Sequence, residues 1–149
     1  MAVVTVAPDP TVTSTSSGTA RVAVVRTRPE TVLEDYGRVM DLAGYRGVLA
    51  RDRDTLLKLN LSWTKYFPAC SSQPWQVDGV VRKMLGDGFE RGRLIPVENK
   101  TVVTNPVQGC RNNRWEDILL REGLTFVPLP DVEWRIYPFK SPLLKLNEI

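Results

Sequence analysis

The chain contains no histidine, which removes the commonest metal ligand and the usual general base near neutral pH. Cysteine is scarce. Cys70 and Cys110 are the only two, and they stand too far apart for the paired spacing of a zinc or iron-sulfur site. Two reduced, partly buried thiols are the expected state, with a disulfide as the alternative. No glycine-rich phosphate loop of the GxxxxGKS kind occurs. No stretch reaches the roughly 18 apolar residues of a membrane span. Residues 1–19, MAVVTVAPDPTVTSTSSGT, lack the basic and apolar regions of a secretory signal and read as a flexible leader. A cytoplasmic protein with no membrane partner is the expectation.

What remains is an ordinary globular composition. The 149 residues are 42% hydrophobic and 25% charged, enough for one domain with a real core. The net charge of +3 comes from 20 basic and 17 acidic side chains. Their signs are mixed locally, as in Arg51-Asp52-Arg53-Asp54 and in Glu116, Asp117, Arg121 and Glu122. Nucleic-acid binding calls for basic residues gathered on one face, so no nucleic-acid partner is expected.

Alternation of strand and helix signals predicts an α/β fold over residues 20–149, with a mainly parallel sheet and flanking helices. Residues 20–26, ARVAVVR, are rich in β-branched valine and predict a first strand. Pro29, Glu34 and Asp35 suit a helix start, the apolar spacing of Val32, Leu33, Tyr36, Val39 and Met40 continues it, and Gly44 stops it. Tyr36 and Met40 read as core.

Residues 54–61, DTLLKLNL, alternate so that Leu57, Leu59 and Leu61 share one side and Lys58 and Asn60 the other. A second helix follows at 73–85, with Ser71 or Ser72 as its cap and a stripe of Val77, Val80, Val81 and Met84. Residues 93–98, RLIPVE, predict a third strand. Residues 100–113 are too rich in glycine and asparagine at their end to predict a helix and read as a loop. A helix at 114–122 and a strand at 124–128 complete the pattern.

The polar stretch between strand and helix, residues 62–73, is the strongest functional candidate. Long polar loops after strands carry function more often than other loops, and open α/β sheets bind ligands at the carboxyl ends of their strands. Lys58, Asn60, Ser62, Lys65, Ser71, Ser72, Glu98 and Asn99 are the expected ligand-binding residues. Lysine would supply positive charge, the amides and hydroxyls hydrogen bonds, and Glu98 a carboxylate able to act as a base or hold a hard divalent metal. Each also has a plain structural use, as edge charge, turn former or cap.

The order LLKLNLS, polar loop, helix and a strand ending in VENK resembles a bacterial and archaeal family called domain of unknown function 362, whose strand reads roughly "vliKpNl". Lys58, Asn60 and Leu61 match that text, and Leu59 stands where the family has proline. The resemblance covers about residues 20–149. It implies the N-terminal part of a longer α/β domain of uncertain activity, sometimes joined to ferredoxin-type iron-sulfur modules, whose cysteine motifs are not in this sequence.

Two functions are thus expected in competition. The first is a domain that holds a small polar or anionic molecule, with or without a divalent metal, in a cleft at the strand ends; no reaction is named by these residues. The second is a non-catalytic docking module, or a partner of an iron-sulfur redox module, that uses Trp63, Tyr66, Phe67 and Trp75. The apolar text up to Ile149, with few helices to cover the sheet, further predicts an incomplete domain that self-associates through an uncovered apolar face.

Overall fold

The structure is a computed structural model that describes residues 22–136 and 138. A three-stranded parallel sheet runs in the order β1 (Thr55–Lys58), β2 (Leu94–Glu98) and β3 (Val127–Pro128). Four helices flank it: α1 (Val32–Ala43), α2 (Pro74–Gly86), α3 (Pro106–Asn112) and α4 (Trp115–Arg121). The chain is therefore α/β. No helix among the described residues is long and apolar enough to cross a membrane.

Helix α1 begins beside Thr31, whose hydroxyl donates to Asp35 Oδ2 at 2.6 Å. It ends at Gly44, where φ is +76°, a left-handed turn that glycine adopts without a side-chain clash. Helix α2 packs against both α1 and α4. The α1–α2 approach is close because position 79 is glycine: a Cβ there would sit 2.7 Å from Tyr36 Cβ.

The cap of α2 differs from expectation. Neither Ser71 nor Ser72 caps it; Gln73 does, in a reciprocal box with Gln76 in which the Gln73 N–H donates to Gln76 Oε1 at 2.7 Å. Glutamine is long enough to reach back over a first turn opened by Pro74, which leaves both serine hydroxyls for the loop.

Strand β2 is the central strand, yet it contains Pro96. The Leu59 N–H donates to the Val97 carbonyl at 3.0 Å, so the polar groups of Val97 face β1 and those of Pro96 face the β3 side. Pairing with β3 starts only at Val97–Val127. The missing donor of proline thus falls where no ladder bond is made.

Three further expectations are corrected. Residues 100–113 are not a loop throughout: Asn105 accepts from the Gln108 N–H at 2.9 Å, Pro106 follows at the first helical position, and α3 results. The predicted strand at 20–26 forms no ladder in its described part, residues 22–26. Val22 and Val24 are 81% and 82% exposed, so these two valines have no packed face to bury. The strand at 124–128 shortens to β3 because Leu124 is taken into the end of α4, donating its N–H to the Leu119 carbonyl at 2.8 Å past Gly123 at φ +71°.

The core lies between the sheet and the helices. Leu59, Leu61 and Leu94 meet Val81 and Met84 of α2 and Trp115 and Leu119 of α4. Trp115 is fully buried, and its indole N–H donates to the Ser72 carbonyl at 2.8 Å, which ties α4 to the polar loop.

Candidate functional site

Alternation along β1 is as the leucine pattern requires: Leu57 and Leu59 turn inward, and Leu56, Lys58 and Asn60 are exposed. Parallel pairing sets Lys58 beside Val97, one residue from Glu98. The Lys58 ammonium lies 3.0 Å from Glu98 Oε2. The two side chains thus meet at the ends of neighbouring strands.

Glu98 is 4% exposed, and a carboxylate so buried needs partners. It has them: the Leu61 N–H donates to Oε2 and the Asn99 N–H to Oε1, each at 2.7 Å. Oε2 thus accepts from one backbone donor and one ammonium, and Oε1 from one backbone donor. No group of three or more His, Cys, Asp or Glu able to hold a metal ion occurs among the described residues.

The serines of the loop are structural fasteners. The Ser72 hydroxyl accepts from the Asn60 N–H at 2.9 Å while the Ser72 N–H donates to the Asn60 carbonyl at 2.8 Å. The Ser71 hydroxyl accepts from the Ser62 N–H at 3.2 Å, and the Ser62 hydroxyl donates to the Cys70 carbonyl at 2.6 Å. The Asn60 amide reaches the Ser62 hydroxyl at 3.2 Å, and the Asn99 side chain accepts from the Lys100 N–H at 2.8 Å. Lys65 is exposed and takes no part in these bonds. Of the eight expected residues, Lys58 and Glu98 meet directly, and Asn60, Ser62, Ser71 and Ser72 hold the loop shut behind them.

The turn at the loop's far end carries strain. Ala69 adopts φ +59° in a turn closed by the Cys70 N–H to the Phe67 carbonyl at 3.2 Å. A left-handed conformation is unfavourable for any residue with a Cβ, so the hydrogen bonds around it hold it in place.

Beside β1 runs a groove of about 370 Å³, lined by Leu56, Leu57, Lys58 and Leu59 of the strand and its end, Ser72, Gln76, Val77, Val80 and Val81 of the loop and α2, and Tyr36 of α1. Its walls are mostly aliphatic, and its polar groups are Lys58, Ser72, Gln76 and Tyr36. The size falls within the range of small-molecule sites, which combine an apolar lining with a few placed polar groups. Sequence reasoning missed Tyr36, Gln76, Val77, Val80 and Val81 as site residues. The helical spacing of Tyr36, Val77, Val80 and Val81 marked them as inward-facing, and the same spacing serves a core or a groove wall.

The two cysteines are free. Cys110 is buried beside α4, and burial pushes its thiol up to about 12. No family model, no curated protein and no solved structure matches the chain.

Proposed function

We propose that this domain binds a small molecule with an apolar body and a polar or anionic end in the groove along β1. The observation that carries this reading is the groove itself: a cavity of about 370 Å³ with aliphatic walls from Leu57, Val77, Val80 and Val81 and with Lys58, Ser72 and Gln76 among its polar groups. The ion pair with Glu98 uses one of the three donors of the Lys58 ammonium. The side chain of Lys58 is 61% exposed, so its other donors are accessible to a ligand. The buried carboxylate holds the cation in place, and the remaining attraction for an anion is modest.

The probe that tests this is 8-anilinonaphthalene-1-sulfonate, an aromatic body with one sulfonate. Saturable binding by the wild-type chain is expected, lost in Val80→Trp, which fills the groove, and weakened severalfold in Lys58→Met. Binding that is unchanged by Val80→Trp would place the dye elsewhere and end this reading.

A second reading is supported by the loop aromatics. Trp63, Tyr66, Phe67 and Trp75 are all partly exposed, and Trp63 meets Phe67 edge to face at 6.4 Å. Aromatic residues are enriched at protein interfaces, so a docking module uses this rim. Under that reading, Trp63→Ser abolishes partner capture and leaves dye binding intact.

A further inference from the structure

Among the described residues, the sheet has a free edge at β1. Because the Leu59 N–H points to β2, the N–H and C=O groups of Leu56 and Lys58 point the other way, into the groove. Asn60 is next in that row, and there the edge is closed by Ser72, whose hydroxyl accepts from the Asn60 N–H and whose N–H donates to the Asn60 carbonyl. The free edge is thus two residues long, four backbone polar groups, and it forms a side of the groove that aliphatic side chains of α2 wall. An unpaired edge of this kind is a template for an extended chain.

An extended chain lies on the other side of Tyr36. Along residues 22–26 exposure alternates, with Ala23 and Val25 half-buried between exposed Val22, Val24 and Arg26, the period of a strand. Val25 and Thr27 line a smaller cavity of about 150 Å³ together with Asp35, Tyr36 and Val39. Tyr36 is a wall of both cavities. The segment leads into α1, α1 packs on α2, and β1 is the next strand. That is the order of a strand–helix–strand unit, whose two strands pair side by side and in parallel. The short link to α1 keeps the segment at high local concentration beside the edge.

We propose that residues 22–26 seat on the free edge of β1 as a fourth, parallel strand and so gate the groove. Seated, the segment satisfies the backbone groups of Leu56 and Lys58 and covers the aliphatic wall. Unseated, as in the structure, it leaves the groove open to a ligand. The gating half rests on the ligand reading above; the seating half does not.

Amide hydrogen exchange tests the seating residue by residue. In the wild-type chain the Leu56 and Lys58 amides are expected to exchange at least tenfold more slowly than in a Val24→Pro/Val25→Pro variant, which removes a ladder donor in either register. The Leu57 and Leu59 amides, which face β2, are the internal control and should keep their protection in both proteins. Unprotected Leu56 and Lys58 amides in a wild-type chain that protects Leu57 and Leu59 would overturn the seating. For gating, the double variant should bind the naphthalene sulfonate at least threefold more tightly. Lost protection with unchanged dye affinity overturns the gate and leaves the seating standing. A dye that binds neither protein defeats the ligand reading and the gate with it, and seating is then decided by exchange alone.

Discussion

Glu98 accepts from the Lys58 ammonium and the Leu61 N–H on one oxygen and from the Asn99 N–H on the other, joining the ends of β1 and β2 through a single buried carboxylate. The two partners of this ion pair are not equal. Lys58 is mostly exposed, whereas Glu98 is enclosed. Glu98→Gln must turn an amide NH2 toward a donor, and a buried donor left without an acceptor costs about 1–3 kcal/mol. Lys58→Met removes an exposed charge and should lower stability by less than about 1 kcal/mol. Urea unfolding of the two variants measures both, and a larger loss from Lys58→Met would contradict the geometry.

Ala69 offers a test of the loop. At φ +59° a glycine relieves roughly 1 kcal/mol of backbone strain and gives up about 0.4–1 kcal/mol through the freer unfolded chain. Ala69→Gly should therefore be nearly neutral, and Ala69→Val, with a branched Cβ in the same conformation, clearly destabilising. Thermal unfolding midpoints in the order Gly, Ala, then well below them Val are expected; a Val variant equal to wild type would show that the turn is not left-handed.

Acid should weaken the contact between α1 and α2. The Tyr45 hydroxyl donates to Asp87, and that bond, with help from Lys83 and Arg46, holds the Asp87 carboxyl below its ordinary value of 3.8. A carboxyl depressed in the folded state contributes stability above its unfolded value and loses that contribution as pH falls through the folded one. Stability measured by urea should fall below about pH 4, and Asp87→Asn should flatten that limb. Asp35, depressed mainly by its bond from Thr31, keeps part of the slope, so the flattening is partial. An identical acid limb in the variant would exclude Asp87 as its source.

The thiols should separate cleanly. Cys110 is 3% exposed with its thiol pushed up to about 12, and Cys70 is half-buried on the loop. Maleimide at pH 8 is expected to label Cys70 first, and Cys110 only in denaturant, because the thiolate is the reactive form. Mass spectrometry of tryptic peptides reads this, and equal labelling of both in the native protein would refute the burial of Cys110.

Local text explained the central elements. The alternating leucines of residues 54–61 set β1 and its inward face, and the valine stripe set the inner face of α2, because one packed layer imposes its period on the residues that meet it. The Lys58–Glu98 meeting was legible because parallel strands align their ends. Helix α3 was not legible from composition: Asn105 and Pro106 form a start signal, and the glycine at 109 that argued against a helix lies under Leu61, where a Cβ would collide with its methyl groups. The cap of α2 was misassigned for a related reason, since serine is the commoner cap and only the fold shows that both serine hydroxyls bind the loop. The groove could not be read at all, because it depends on what lies beside β1 and not on β1 itself.

The burial of Trp115 makes the protein's ultraviolet emission a local instrument. Trp63, Trp75 and Trp134 are exposed, so their light changes little on unfolding and aqueous quenchers reach them in the native state. Trp115 alone is shielded and bonded to the Ser72 carbonyl. After iodide has dimmed the other three, the residual fluorescence reports on the joint between α4 and the polar loop, and Trp115→Phe should leave an emission that iodide quenches almost completely.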